Sequence, residues 1–414
     1  MLDISRLIWR GQRAAPSGID RVELAYAEYF LAKDARRPAY AVIHVMGWVF
    51  GVNDAGARRF VQKLAVRWRG EPGDMNRGRL ARLGDLYGSL LMGHWRIGFQ
   101  LRREFRRHAA APIFLVVSHH HLSLDHTIRR IRRSFGARCA CFLHDLIPLD
   151  YPEYFPPRLA RGFKRLPETI ADCFDAVIAN SRTTAEALRT VLSALGGPRV
   201  PGIRVAAPGA RAFPMTPRGA ELPEQPHSVP YFIVLGTIEP RKNHLLLLNL
   251  WVRLASTLET VPRLLVIGAR GWENEQVVDM LERSNRLRGV VEEHPTLDDT
   301  AVGSLLGAAR AVLVPSFVEG YGLPLVEALA SGVPVICSDI PVFREVGRDV
   351  PDYADPLDLP AWQHLITDYA RPDSARRAAQ LERLARWRAP RWADHFEIVE
   401  TALDAIDRPT RADA

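Results

Sequence analysis

The chain has 414 residues, 47% of them hydrophobic, and a formal net charge of +8. This length is too great for one ordinary core and predicts two domains, while the hydrophobic share excludes a disordered or fibrous protein. No apolar stretch of a signal peptide follows Met1, no apolar run reaches about eighteen residues, and the four cysteines lack metal-ligand spacing, so secretion, membrane spanning and a cysteine metal site are not expected.

In chain order, residues 18–33 carry Ile19, Val22, Leu24, Ala25 and Tyr29 at helical spacing. Residues 40–46, 113–118, 137–143, 174–179 and 203–206 are apolar and read as strands. Residues 156–172 read as one helix, and Ser181 caps another over 182–195. Such alternation predicts a parallel sheet covered by helices. Cys139 and Cys141 alternate along one strand and read as core thiols of a reducing cytosol.

Between Arg58 and Arg107 thirteen Lys and Arg stand against four Asp and Glu, interleaved with Phe60, Trp68, Tyr87, Trp95, Phe99 and Phe105. An anionic membrane surface, an anionic acceptor or nucleic acid would each fit this pattern. A solvated helical face with its aromatics turned inward fits it too. The expectation carried forward is a membrane surface or a lipid-linked acceptor, not nucleic acid.

Residues 209–230 hold Pro214, Pro217, Pro223, Pro226 and Pro230 with little periodicity and read as a linker. A second alternation follows: strands at 231–235, 263–267, 311–314 and 333–337, helices at 244–258, 273–287, 300–309 and 323–330. The expected organisation is a first domain over 1–210 with a basic insertion at about 52–111, a linker over 211–229, and a second domain over 230–390. A helix within 391–414 would return to the first domain. The predicted fold is α/β, two Rossmann-like doubly wound domains facing across a cleft, with ligands beyond the carboxyl ends of the strands.

Several loops after predicted strands carry chemistry. Glu319-Gly320-Tyr321-Gly322-Leu323 leads from a strand into a helix that holds Glu327 about one turn in. Helix N-termini favour phosphate, and carboxylates accept hydrogen bonds from paired sugar hydroxyls, so this loop suits a nucleotide sugar. A capping Glu and a solvent-facing Glu are the plain alternative. Gly236-Thr237 and then Arg241-Lys242 follow the first strand of the second half, two cations suited to a diphosphate. Gly18 opens the first long helix after Ser17, as a phosphate loop or as a simple cap. His144 and Asp145 leave a buried strand for a Pro-rich loop, where a cleft residue or a structural His bonded to a carbonyl would sit. His119, His120 and His121 end another strand, but alternation splits them and no acidic partner cluster follows, so a metal is not expected. Asn180 ends a further strand, on the acceptor side or merely beside an N-cap. Gly268-Ala-Arg270-Gly271-Trp272 forms a glycine turn after the second strand of the second half.

The run from Pro315 through Glu319 and Glu327 to Asp339, with Arg344-Glu345-Val346 and Asp355-Pro356-Leu357, resembles the family 4 retaining glycosyltransferases of GT-B fold. The similarity is strong from about Tyr231 to Pro356, patchy before Pro112 and weak after Pro360. It implies that Glu319 contacts the transferred sugar and Glu327 the ribose, while Arg241 and Lys242 neutralise the diphosphate. It further implies that the Gly18 loop reaches that diphosphate, although the family often has two adjacent glycines there. Gly236, Thr237, Gly268, Arg270, Gly320, Tyr321, Gly322 and Leu323 would complete the donor site. His144 would line the sugar with Asp145 orienting it or the acceptor, and His119, His120 and Asn180 would face the acceptor. The Gly-Trp turn and the His144 loop resemble those of mannosyltransferases.

The resemblance thus implies transfer of a hexose, mannose from GDP-mannose in the first instance, to a glycan or lipid-linked glycan hydroxyl in surface polysaccharide synthesis. Configuration would be retained, with no cofactor and no metal, by a cytoplasmic protein peripheral to the membrane. A UDP-sugar, dTDP-sugar or GDP-fucose donor is the alternative. A phosphorylase-like or epimerase-like enzyme and a non-catalytic binding protein are the rivals.

Overall fold

The structure, a computed structural model, describes residues 1–13, 16–37, 39–45, 48–52, 54–69, 105, 111–119, 122, 125–197, 200–214 and 229–407. His120, most of the basic insertion and most of the linker lie outside the described residues. The chain forms two compact units, one of residues 1–146, 162–208 and 392–414, the other of residues 147–161 and 209–391. The sequence boundary at 210 is thus drawn at 208, and a short excursion at 147–161 joins the second unit.

Among the described residues the first unit is built on seven strands: β1 (Leu2–Asp3), β2 (Ala41–Val45), β3 (Trp48–Gly51), β4 (Ile113–Val116), β5 (Arg138–Leu143), β6 (Ala176–Ala179) and β7 (Gly202–Val205). Their order is β3-β2-β1-β4-β5-β6-β7. All neighbours are parallel except β2 and β3, which pair antiparallel. Every residue of β4 and β6 is buried, as expected where helices cover both faces of a parallel sheet. The order reverses between β1 and β4, which opens a crevice at their carboxyl ends. The helix Gly18–Phe30 starts in a capping box between Ser17 and Asp20 and buries Val22, Tyr26 and Phe30.

The last helix, Trp392–Asp407, belongs to this same unit. Phe396, Val399 and Leu403 enter its core, and Phe396 stacks on Tyr29 at 3.9 Å between ring centres. Arg37 pairs with Glu400, Asp404 and Asp407 at 3.5, 2.7 and 2.9 Å. The partly exposed pairs with Asp404 and Asp407 are worth little alone, but one guanidinium bridging three acids on one helix face, the buried Glu400 among them, fixes the helix rotation.

The second unit has six parallel strands: β8 (Tyr231–Leu235), β9 (Arg263–Ile267), β10 (Val291–His294), β11 (Val312–Val314), β12 (Val335–Ser338) and β13 (Asp352–Ala354). They lie in the order β10-β9-β8-β11-β12-β13, with the reversal between β8 and β11. Phe232, Trp251, Leu264, Leu313, Ile336 and Trp362 form its core. Among the described residues no helix is long and apolar enough to cross a membrane.

Several local features differ from the sequence reading, among them β3 and β13, short strands that no expected segment covered. Residues 156–172 form two helices, Pro157–Phe163 and Leu166–Cys173, because Pro167 fits a first turn but interrupts a continuing one. β10 was not expected: its Val-Glu-Glu-His sequence carries no apolar run, since it is an edge strand with charged side chains. β1, with only two residues, was too short to show a period, though Leu2 and Ile4 around it are fully buried.

Candidate active site

The reversal point of the second unit organises its polar residues. After β8 the chain turns through Gly236, a 3-10 turn Pro240–Lys242 and Asn243 in the left-handed region at φ 55°. Asn243 donates from Nδ2 to the carbonyls of Pro315 and Pro356 at 3.2 and 2.9 Å, tying this turn to the one after β11. The Phe317 amide donates back to the Arg241 carbonyl at 2.9 Å. Arg241 and Lys242 are thus delivered by backbone pairing to the loop that carries Glu319.

Glu319 is 8% exposed and both of its oxygens are occupied. Lys242 Nζ donates to Oε1, which also accepts from Ser316 Oγ at 3.0 Å. Arg241 Nη1 lies 2.6 Å from Oε2, and its Nη2 lies 2.5 Å from Glu239. Burial alone would raise the Glu319 carboxyl; the charges of Arg241 and then Lys242, with their hydrogen bonds, outweigh it and hold the group at about 2. Arg241 and Lys242 thus meet the carboxylates of Glu239 and Glu319 at the strand ends. Removing one partner from such a buried pair costs about 3–5 kcal/mol.

Glycine is required at two points of this wall. Gly268, at φ 155°, brings the turn after β9 so close that a Cβ would lie 2.0 Å from the Gly236 carbonyl oxygen. Gly322, at φ 92°, starts the helix Leu323–Ala330, and a Cβ there would meet the Phe343 ring at 2.6 Å. Thr237 packs its methyl against Gly271, where a Cβ would be 2.8 Å away. Gly320 and Tyr321 complete the loop, with Tyr321 buried and its hydroxyl pushed up by burial and then by the Glu345 charge. Glu327 lies inside the helix, 9% exposed, near the length predicted from sequence. The guanidinium of Arg270, by contrast, is held by Glu293 at 2.7 and 2.8 Å and by Glu282 at 2.5 Å on the rim of β10. Its expected contact with a donor would require breaking this network.

The first unit brings another set to its own reversal point. Asp20, fully buried, accepts from Ser17 and pairs with Arg6 at 2.9 Å and Arg10 at 3.2 Å. Burial raises the Asp20 carboxyl, and Arg6, Ser17 and Arg10 bring it below its ordinary value. Gly18 stands at the first position of the capped helix. His144 donates from Nε2 to the Val117 carbonyl at 2.8 Å, and its amide donates to His119 Nε2 at 3.0 Å. These bonds put the ring proton of His144 on Nε2 and leave Nδ1 as its acceptor. Burial first, then His119 for His144 and Arg6 for His119, push both imidazoles down to about 3, so both are neutral. The carbonyl bond foreseen as the structural role of His144 is present, while Nδ1 keeps the acceptor a sugar hydroxyl would need. Asp145 acts on His144 through its charge. Asn180 donates from Nδ2 to the His144 carbonyl at 2.6 Å, and its Oδ1 is buried without a partner.

Sequence reading missed Arg6, Glu239, Ser316 and Asn243. Glu239 and Asn243 flank Arg241 and Lys242 directly, so an acid beside paired cations was the available signal. Ser316 and Arg6 find their roles only through the fold.

Two doubly wound units, each gathering charged side chains at its reversal point, define the GT-B class. Residues 221–350 match the family model described as glycosyl transferases group 1. The chain is similar to O-antigen chain mannosyltransferase B of Escherichia coli, at 36% identity over 39% of this chain and 42% of that one. It is also similar to the serotype-specific mannosyltransferase WbdA of Escherichia coli, at 29% identity over 52% of this chain and 28% of that one. The matches thus span less than half the length of these relatives. Among solved structures, HepE of Anabaena in complex with UDP and glucose matches with a TM-score of 0.64 over 97% of this chain and 98% of that one, at 14% identity. Sucrose-phosphate synthase of Thermosynechococcus elongatus matches with a TM-score of 0.57 over 81% and 82%, at 17% identity. At these identities the structural likeness establishes the fold.

Proposed function

We propose that this protein is a retaining glycosyltransferase that moves a hexose, mannose from GDP-mannose, to a hydroxyl of a glycan or lipid-linked glycan acceptor in surface polysaccharide synthesis. The observation that carries this reading is the grip of Arg241 and Lys242 on Glu319 at the ends of β8 and β11. A diphosphate would take over these cations, and Glu319 would be released toward the sugar. In the transfer the bond from the anomeric carbon to the β-phosphate oxygen breaks and the bond to the acceptor oxygen forms. The acceptor proton passes to the departing phosphate oxygen. Arg241 and Lys242 stabilise the charge that builds on the leaving diphosphate, and Glu319 supports the positive charge on the sugar. Glu327 would hold the ribose. Because two fixed cations already neutralise the diphosphate, no metal or cofactor is expected to be needed.

The matched mannosyltransferases support mannose and an O-antigen-like acceptor. The protein would work in the cytoplasm, with the basic segment from Arg58 to Arg107 docking on the anionic face of a membrane. The deciding experiment is thermal stabilisation and turnover with a panel of GDP-, UDP- and dTDP-sugars. A ligand at a hundred times its dissociation constant adds about 2.7 kcal/mol. GDP-mannose is expected to give the largest shift; no shift with any nucleotide sugar would overturn the reading.

A further inference from the structure

Residues 147–161 leave the first unit's sequence to fold with the second. They form a short helix, Ile147–Asp150, and a 3-10 turn, Pro152–Tyr154. Trp272 fastens this turn by donating from Nε1 to the Tyr154 carbonyl at 2.9 Å, and Phe155 stacks on the Trp272 ring at 6.1 Å. The fastening aligns three rings. Tyr154 lies on Phe317 at 5.8 Å between centroids and 6° between planes, and Tyr151 lies on Tyr154 at 5.9 Å and 16°. The row begins two positions before Glu319 and ends in Tyr151, which is 41% exposed. Among the described residues neither Tyr151 nor Tyr154 has a hydrogen-bond partner for its hydroxyl.

Packing alone does not account for this row. Its outer member leaves a large aromatic ring in water, on a turn pinned in place by a half-buried indole. The acids flanking it, Asp150 and Glu153, are exposed, and residues 147–157 contain no Lys or Arg. The turn that carries the two tyrosines is therefore negative, and the balancing Arg158 and Arg161 enter only in the helix that follows, so the turn itself disfavours a phosphate or an anionic headgroup. It suits a neutral polyol. A hexopyranose offers a face of polarised C–H groups to the negative face of an aromatic ring, and a rim of hydroxyls to carboxylates and phenols. A few polar groups around an aromatic floor are the usual makeup of a small-molecule subsite.

We propose that Tyr151 and Tyr154 form a stacking platform for a hexopyranose unit of the glycan acceptor, with Asp150 and Glu153 accepting hydrogen bonds from its hydroxyls. This rests on the proposed glycosyl transfer, since it names the chemistry of that acceptor. The platform would bind a sugar of the chain being extended and would take no part in breaking the donor bond.

The test uses the full chain, α-linked mannotriose as acceptor probe and GDP as nucleotide probe. Transfer kinetics and GDP titration are measured for Tyr151→Ala and Tyr151→Phe. The alanine variant should raise the acceptor KM roughly fivefold, the size of one lost aromatic contact, with kcat and GDP affinity unchanged. The phenylalanine variant keeps the face and should stay within about twofold of wild type. Tyr151 is exposed, so its truncation leaves the fold intact; Tyr154→Ala, which removes the middle ring, should raise the KM further. An unchanged acceptor KM in Tyr151→Ala overturns the platform, and so does weakened GDP binding, which would assign the ring to the nucleobase. Should no donor of the panel turn over, the transferase reading fails separately. Mannotriose binding, followed by saturation transfer from aromatic protons in the presence of GDP, then decides the platform. Signal lost in Tyr151→Ala supports it, and no signal with wild type overturns it.

Discussion

Lys242 and Glu319 stand 77 positions apart in the chain and form a buried, hydrogen-bonded ion pair where the turns after β8 and β11 meet. Arg241 occupies the other carboxylate oxygen at 2.6 Å. Without ligand, the carboxylate is the counter-charge that makes the buried Lys242 and the half-buried Arg241 tolerable. A diphosphate carries the same sign of charge and more of it, so under the proposed function the pair would exchange one anion for another.

The first prediction concerns the cations. The double variant Arg241→Ala, Lys242→Ala should lose at least about a hundredfold in turnover, on the order of 3 kcal/mol of transition-state stabilisation. It should also bind free nucleoside diphosphate more weakly and melt earlier, because Glu319 is left buried and unpaired. Steady-state rates, titration and thermal melts measure the three effects. Wild-type turnover by a folded double variant would remove these residues from the mechanism.

The two glutamates should separate cleanly. Glu319→Gln removes the charge that competes for Arg241 and Lys242, so GDP should bind as tightly as to wild type or more tightly. Turnover should nevertheless drop about a hundredfold, because support for the developing positive charge on the sugar is gone. Glu327→Gln should instead weaken GDP about tenfold, the loss of a hydrogen bond to a charged acceptor, with a smaller effect on kcat. Equal loss of GDP affinity in both variants would contradict this division of labour.

The helix carrying Glu327 was legible because its punctuation is local. Gly322 and Pro324 open it and Gly332 follows its end, and its bounds fall where the sequence puts them. The N-cap at Ser181 was legible for the same reason. Arg241 and Lys242 were legible as a cation pair after a strand, but their pairing with Glu319 was not, since no local rule joins positions 77 apart. Glu239 and Ser316 escaped notice because their value lies in the charge balance and hydrogen bonding of a buried cluster, which exists only once β8 and β11 are neighbours. The aromatic row escaped because it depends on residues 147–161 changing units.

Acid should destabilise the first unit before the second. Burial holds His119 and His144 at about 3 and His395 at about 4, all in the first unit, against an ordinary value near 6.5. His244, also at about 3, is the matching group of the second. Where a folded value lies below the unfolded one, the unfolded chain binds more protons in the window between them. Stability is therefore full above about pH 6.5 and falls as the pH drops toward the folded values. Each imidazole contributes up to about 1.4 kcal/mol per pH unit in that window. Glu319 adds a loss confined to the range from 4.5 down to about 2. Calorimetry between pH 7.5 and 5 should show the transition of the first unit falling more steeply. A transition independent of pH over this range would mean that these histidines are not buried neutral.

The last prediction concerns the membrane. The helix Asp54–Arg69 opens the basic segment, and its end is tied to the turn that follows the short first helix, Ser5–Arg10, with Trp68 Nε1 donating to the Arg13 carbonyl at 3.2 Å and Arg67 to that of Gln12 at 3.3 Å. Trp9, on that first helix, is 68% exposed, an amphipathic ring of the kind that settles at a lipid interface. Arg69 is partly spent on Glu28 at 2.6 Å, so most of the attraction should come from the rest of the segment, which lies outside the described residues. Each cation near an anionic bilayer contributes about 1 kcal/mol. The protein should therefore co-sediment with vesicles containing phosphatidylglycerol at low salt and be released at high salt, where screening shortens the Debye length. Neutral vesicles should hold far less. Replacing Arg102, Arg103, Arg106 and Arg107 with Gln should abolish attachment, and Trp9→Ala should weaken it, both with GDP binding intact. Absence of co-sedimentation at low ionic strength would make the segment a solvated face or an arm for a soluble acceptor.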